Sequence, residues 1–466
     1  MSDRNVVDVT LCTFGLNEIS PFVLRNLKTP ETLSAQRRLL RKWDLRSKSL
    51  HAFCSQDPEI TKAWQLDQIS KLVDFAYSNH PFYHKLYFDA GFRKGDIVEW
   101  NDYYSLPIID KPKIAANFDL FINPCLSAIS EPYYTSVTSG SSGRILTAMF
   151  DQAMIDEDIL RCMRFYEQML GRQRSPSEWL YQIYVAAPPF STLDGKFPTF
   201  TTSNECPAET LIKHLQALKP TIISGLPSYL LRLGELAKNQ ASLGIQAIST
   251  NSETSTVAER EKIAVLFGCP VFDEYSSVEL GLIATQCSQG RYHITEDNVR
   301  VDVEYVDDLG FGQIVTTSLI NSFMPFIRYS QGDIIQIQAD HIFCSCGSTF
   351  RFLDSFLGRT DQNLQSSTIG NIPSDRVMAL YDRTLLAPEA NIAEFQIVQH
   401  EIDTIELFAV PCKKSVGIKS AVLELFCTEL KALFACDSLD IRYTELEALP
   451  PEKSYKRRLI KNNIKS

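Results

Sequence analysis

The 466-residue chain has no uncharged apolar run approaching the ~18 residues of a membrane span. Its start, MSDRNVVDVTLCTF, carries Asp3 and Asp8 where a secretory signal has basic and then apolar residues, so a cytoplasmic protein without membrane association is expected. Positive charge is in deficit: 46 lysines and arginines stand against 56 acidic residues, and a net charge of −10 repels a phosphate backbone and argues against a nucleic-acid partner. Cysteine is sparse at twelve residues, far below the ~8–10% of a disulfide scaffold, and reduced thiols follow. Only seven histidines are present, and no Ser/His/Asp arrangement can be argued from their spacing, which leaves a hydrolase without support. Internal repeats and low-complexity stretches are missing too. What remains is an ordinary globular composition, 44% hydrophobic and 22% charged, with length for roughly two to four domains.

Along the chain, residues 31–90 read as helices, with Leu66, Ile69, Leu72, Val73 and Ala76 on one face. From about 150 to 280 helices and strands alternate: a helix opened by Asp151, a helix ending near Leu218, TIIS, the proline-started PSYLLRLGELAK, AIST, VAEREKIAVLFG and PVFDEY. Such alternation predicts parallel βαβ units. Ligands bind such sheets beyond the carboxyl ends of the strands, which here deliver Ser224-Gly225, Asn251-Ser252-Glu253 and Tyr275 to Glu279 to one edge. After Gly281 the chain turns strand-rich, with VDVEYV and QIVTTSL joined by DDLGFG, then DIIQIQ. A boundary is expected near LGRTDQ, followed by a small α+β unit with a hairpin (EFQIV, TIELFAV), one amphipathic helix (SAVLELFCTELKALF) and a basic tail.

In TSVTSGSSGRI, Ser139, Gly140, Ser141, Ser142 and Gly143, followed by Arg144, have the composition of a phosphate loop, in which backbone amides and hydroxyls surround phosphate oxygens. The Gly-Lys-Ser/Thr ending of a Walker A loop is absent, and an ordinary flexible loop is the competing reading. Cys287 and His293 in CSQGRYH, with Cys344 and Cys346 in CSCG, supply the donor set of a closed tetrahedral zinc site; without finger spacing, buried free cysteines remain an equal alternative. YVAAPPFSTLDGKF and the neighbourhood of Gly225 are candidate pocket walls, with Phe190 and Tyr229 as aromatic surface or as core.

TSGSSGR, DEYSSVE, RYSQGD, LGRTD and a Lys/Arg tail, in that order, resemble the adenylate-forming ligase superfamily, and KPTIISGLPSYLLRLGELA, SETSTVAER and CSQGRYH resemble its phenylacetate-coenzyme A ligase-like branch. The resemblance implies an α/β fold: a large N-terminal adenylation domain (1–358) with mainly parallel sheets and helices, and a small mobile α+β C-terminal domain (359–466). It implies a two-step reaction in which a carboxylic acid, small and expected to be aromatic, attacks ATP to give acyl-AMP and pyrophosphate, and coenzyme A then displaces AMP.

By the same resemblance Glu279 holds Mg²⁺, Tyr275 stacks on adenine, Asp333 accepts from the ribose hydroxyls, and Glu253 flanks the nucleotide. Arg359 contributes to binding the nucleotide beside the hinge at Asp361, and a structural Zn²⁺ sits on Cys287, His293, Cys344 and Cys346. Two departures stand out. Ser276 and Val278 replace the family's glycine and hydroxyl residue before the glutamate. The tail LPPEKSYKRRLIK lacks the family's Gly-Lys pair; alignment puts Tyr455 at the lysine position, and Lys456 is preferred to Lys453 as the catalytic lysine. The alternatives are an amide synthetase or carrier-loading enzyme, with an amine or carrier-protein acceptor, and a nucleotide-binding protein that has lost turnover.

Overall fold

The computed structural model describes residues 33–127, 133–137, 146–184, 191–203, 206–237, 243–308, 310–338, 343–359, 362–386, 390–412, 417–449 and 458–464. The first third is helical, with α1 (Leu33–Phe53), α2 (Pro58–Asn79), α3 (Pro81–Asp89), α4 (Trp100–Tyr104), α5 (Lys111–Ala116) and α6 (Phe118–Ser127). Prolines open α2 and α3, where a missing N–H costs nothing. Ile69, Leu72, Val73 and Ala76 of α2 are buried, as their spacing predicts. Between α4 and α5 the short strand β1 (Ile109–Asp110) appears; β2 (Tyr133–Val137) and β3 (Thr147–Asp151) form a separate ribbon.

Asp151 caps α7 (Gln152–Leu170) by accepting from Met154 N at 2.8 Å, and Gly171, at φ 64°, ends it. This helix carries buried charges, among them Asp158, Arg161 and Arg164. Arg164 meets Asp297 at 2.8 Å, so the helix is tied to the sheet by an ion pair rather than by apolar packing alone.

The βαβ expectation is met. β4 (Leu180–Tyr184), β6 (Lys196–Ser203), β7 (Ile222–Gly225), β8 (Ala247–Thr250) and β9 (Val271–Ser277) run parallel in the order β6-β4-β7-β8-β9, with β5 (Ser191–Leu193) antiparallel on the outside. Helices α8 (Ala208–Leu218), α9 (Pro227–Ala237) and α10 (Val257–Phe267) are the crossovers. The sequence reading missed β4 and β6, because LYQIY and KFPTFTTS mix polar with apolar residues. Beyond β9 the sheet turns antiparallel through β10 (Gly281–Gln286), β11 (Tyr292–Ile294), β15 (Phe352–Arg359), β14 (Tyr329–Ile337), β13 (Gly312–Ser318) and β12 (Val299–Glu304).

A second core gathers Leu364, Val377, Phe395, Ile405, Phe426 and Leu430 with their neighbours. Around it lie the ribbon β16 (Leu364–Ser366) and β17 (Gly370–Ile372), α11 (Ser374–Thr384), α12 (Ser420–Phe434) and a four-stranded sheet. That sheet combines the hairpin β18 (Ile392–Glu401) and β19 (Thr404–Pro411) with β20 (Asp440–Glu445) and β21 (Ile460–Asn462). β21 comes from the basic tail and pairs parallel with β18, with Leu459 and Ile460 buried. The chain is therefore α/β, with a large mixed sheet followed by a smaller α+β unit.

Candidate active site

Register places Gly225 beside Thr250 and Thr250 beside Asp273, so the segments after β7, β8 and β9 emerge on one edge. Asn251 donates through Nδ2 to Ser224 Oγ at 2.8 Å. Ser252 takes a positive φ of 65°, and Glu253 Oε2 accepts from Ser228 Oγ at 2.6 Å, which fixes the loop against the start of α9. Asp273 is partly buried, and desolvation raises its pKa; the Arg260 charge and hydrogen bonds from Thr250, Tyr292 and Ser255 oppose that rise. The Tyr275 hydroxyl donates to Asp333 Oδ2, and its ring meets Phe356 edge-on at 5.2 Å. Asp333 in turn faces Arg359 across the β14–β15 ladder; only the backbone of Arg359 is described. DEYSSVE and RYSQGD are thus brought together at a ring and an acceptor-only carboxylate.

Glu279 is 3% exposed. Tyr329 donates to its Oε1 at 2.9 Å and Lys111 Nζ lies 3.2 Å from the same oxygen, while Oε2 has no hydrogen bond or ion pair among the described residues. Lys111 was not anticipated, because nothing near it in sequence marks it, and the β1–β14 pairing is what brings the start of α5 to β14. Where the family has a hydroxyl, Val278 lines a cavity. Ser277 Oγ accepts from Leu280 N at 3.3 Å, while the exposed Ser276 also borders the cavity and supplies a hydroxyl beside Val278.

That cavity, of about 290 Å³, lies between α7 and the strand ends. Among the described residues, Ile155, Ile159 and Met163 furnish apolar wall, while Gln182, Ser224 and Glu274 furnish polar wall. Tyr184 and Ser191 bear out the expectation for the ends of YVAAPPFS; Phe190 lies outside the described residues. Ser224 on the wall bears out the expectation for the neighbourhood of Gly225, whereas Tyr229 is not among the lining residues and its hydroxyl donates to the Cys206 carbonyl. Asp158 and Arg174 also line it and were unforeseen, buried charges being invisible to pattern reading.

Elsewhere, β10, β11 and the segment before β15 bring Cys287, His293, Cys344 and Cys346 together, every pair of donor atoms lying within 4.8 Å. Cys287 Sγ to Cys344 Sγ is 3.7 Å, and Cys346 Sγ to His293 Nε2 is 3.3 Å. Tetrahedral zinc with ~2.3 Å Zn–S bonds needs sulfurs about 3.8 Å apart, so the donor set fits that ion, whereas a disulfide needs ~2.05 Å. His293 Nδ1 is engaged by the Phe350 carbonyl at 2.8 Å, which leaves Nε2 for a metal, and burial lowers the histidine's pKa toward the neutral ligand form.

Ser139, Gly140, Ser141, Ser142, Gly143, Arg144, Asp361, Lys453 and Lys456 all lie outside the described residues. Among the described residues no helix is long and apolar enough to cross a membrane.

No family model matches the chain. It is 24% identical over 259 residues to protein CapK of Staphylococcus aureus, covering 54% of this chain and 55% of that protein, so it spans about half the length of that relative. It is 22% identical over 365 residues to a phenylacetate-coenzyme A ligase of Thermus thermophilus, covering 75% of this chain and 80% of that enzyme. In three dimensions it matches a 2-hydroxyisobutyryl-CoA ligase in the postadenylation state at a TM-score of 0.68 and 19% identity, covering 88% of this chain and 91% of that one. The chain thus carries the fold of that ligase, and over three quarters of its length its sequence is similar to that of the phenylacetate-coenzyme A ligase.

Proposed function

We propose that the chain is an ATP-dependent, AMP-forming ligase that activates a small carboxylic acid as acyl-AMP and passes the acyl group to coenzyme A. The observation that carries this is the Tyr275–Asp333 hydrogen bond, because Tyr275 stands between two cavity-lining residues, Glu274 and Ser276. A ring and a carboxylate so paired suit a nucleoside whose reacting end meets an acid in the cavity. Tyr275 supports the adenine, Asp333 accepts from the ribose hydroxyls, and Glu253 closes the neighbouring strand end. Ser139, Gly140, Ser141, Ser142, Gly143 and Arg144 surround the departing phosphates.

Glu279 Oε2, which has no hydrogen bond or ion pair among the described residues, is suited to Mg²⁺, which would offset phosphate charge when bound. The acid's carboxylate attacks the α-phosphorus, pyrophosphate leaves, and Lys456 neutralises the charge developing between them. In our reading residues 359–466 then turn on residues 1–358 about Asp361, beside Arg359, and the coenzyme A thiol displaces AMP. Cys287, His293, Cys344 and Cys346 would hold a structural Zn²⁺ that ties the β10–β11 turn to the segment before β15. We place the enzyme in the cytoplasm.

Acid-dependent exchange of pyrophosphate into ATP over a panel of acids tests the first step, and adding coenzyme A, an amine or a carrier protein identifies the acceptor. Val278, which removes a family hydroxyl, favours one other reading, a nucleotide binder without turnover. Nucleotide binding with no exchange for any acid would establish it.

A further inference from the structure

A nucleotide held at Tyr275 and Asp333, the reading on which this inference rests, needs the tyrosine ring kept in one plane. Asp333 fixes the Tyr275 hydroxyl, but a hydrogen bond at that end still lets the ring turn about its Cβ–Cγ axis. Phe356 of β15 restrains that turning, since its ring stands edge-on to Tyr275 at 5.2 Å and 72°. The same phenylalanine is edge-on to Tyr292 of β11, at 5.1 Å and 74°. Tyr292 is itself anchored: its hydroxyl donates to Asp273 Oδ2 at 2.8 Å, and the Arg260 guanidinium lies 6.0 Å from its ring centre. Asp273 and Tyr275 are two residues apart on β9 and point to the same face of the sheet. The contacts therefore close a circuit, from Asp273 to Tyr292 to Phe356 and back to β9 at Tyr275.

Phe356 reaches that place through a β-bulge. Across the β14–β15 ladder Asp333 faces Arg359 and Ile334 faces Gly358, yet Ile335 faces Phe356, so Leu357 is an extra residue in β15. In an unbroken ladder Leu357 would oppose Ile335, and Phe356 would point to the other face of the sheet. Gly358, at φ 79°, supplies the left-handed backbone beside the extra residue. With the bulge in place, Phe356 shares the face of Ile335 and hence of Asp333, two residues earlier on β14. An aliphatic side chain could fill the same space, but it has neither the ring edge nor the ring face of an edge-on pair. Phe356 is not among the residues lining the cavity, so its influence is on the nucleotide end of the site and not on the acid.

We propose that Phe356 is a positioning residue for the nucleotide: wedged between Tyr275 and Tyr292, it holds the Tyr275 ring, with its hydroxyl on Asp333, ready to receive the base. The test measures AMP affinity of the full chain by calorimetry and, in pyrophosphate exchange, KM for ATP and for the acid. Phe356→Leu should weaken AMP binding and raise KM for ATP by about three- to tenfold, while kcat and KM for the acid change by less than about twofold. Tyr292→Leu should weaken AMP binding by about threefold, and Phe356→Tyr, which keeps the ring, should stay within about twofold of wild type. Phe200→Leu, which breaks the stacked Tyr181–Phe200 pair in the parallel part of the sheet, should lower the melting temperature without moving KM for ATP. Should Phe356→Leu fail to fold, the AMP affinity of Tyr292→Leu decides. Unchanged AMP affinity in Phe356→Leu, or an equal rise in both KM values, overturns the inference and leaves the ligase reading standing. A wild-type chain that neither binds AMP nor exchanges pyrophosphate with any acid removes the ligase reading and this inference with it.

Discussion

The Lys111 ammonium stands 3.2 Å from Glu279 Oε1, so a cation from the start of α5 neutralises the carboxylate that ends the DEYSSVE element. Both side chains are largely buried, at 14% and 4% exposure, and the pair is completed by the Tyr329 hydroxyl on the same oxygen. A buried carboxylate held from one side is oriented as well as neutralised, which leaves its second oxygen presented to a ligand.

Replacing Lys111 with methionine is expected to destabilise the protein by about 3–5 kcal/mol, because it leaves a buried carboxylate without its cation. The double variant Lys111→Met/Glu279→Gln should recover part of that loss. Thermal and denaturant unfolding check both; full stability of Lys111→Met would show that the pair is energetically idle.

Glu279→Ala and Asp333→Ala should each lower acid-dependent pyrophosphate exchange by roughly two or more powers of ten while the circular dichroism spectrum stays that of the wild type. Near-normal exchange in either variant would remove the role proposed for that residue.

One zinc ion per chain is expected by elemental analysis of protein purified without chelators. Cys344→Ser should lower both metal content and melting temperature, since the ion joins segments from β10–β11 and from before β15. Metal-free, fully stable wild-type protein would leave the cysteines as packing only.

Asp382 on α11 accepts from Thr256 Oγ1, the N-cap of α10, at 2.5 Å, and burial, reinforced by the nearby Glu259, raises its pKa to about 6. Its folded pKa lies above the unfolded value near 3.8, so the folded state binds the extra proton between the two and stability falls as pH rises through that window. Asp382→Asn keeps the acceptor and removes the charge. It should therefore be slightly more stable than wild type at pH 7.5 and indistinguishable near pH 3.5, as read from unfolding midpoints. The opposite order at pH 7.5 would mean that the carboxylate stabilises the contact.

For the tail, Lys456→Ala is expected to fail acyl-AMP formation yet transfer acyl from a synthetic acyl-AMP to coenzyme A, whereas Lys453→Ala performs both steps. The reverse pattern would assign the role to Lys453, and two fully active variants would show that neither lysine is needed.

Apart from β4 and β6, the main elements between residues 150 and 280 were legible along the chain, since Asp151, Pro227, the Thr256/Glu259 capping box and Gly268 act on backbone only a few residues away. So was the gathering of Ser224, Asn251 and Tyr275 on one edge, because parallel strands joined by helices present all their carboxyl ends together. The four donors of CSQGRYH and CSCG could be named from residue type. Their proximity could not, as it depends on β11 pairing with β15 rather than with a strand adjacent in sequence. Lys111 against Glu279, Tyr275 against Asp333, and Arg174 on the cavity wall arise in the same way. Each joins residues far apart in the chain, and its geometry is set by sheet order and side-chain packing, which no local propensity or spacing encodes.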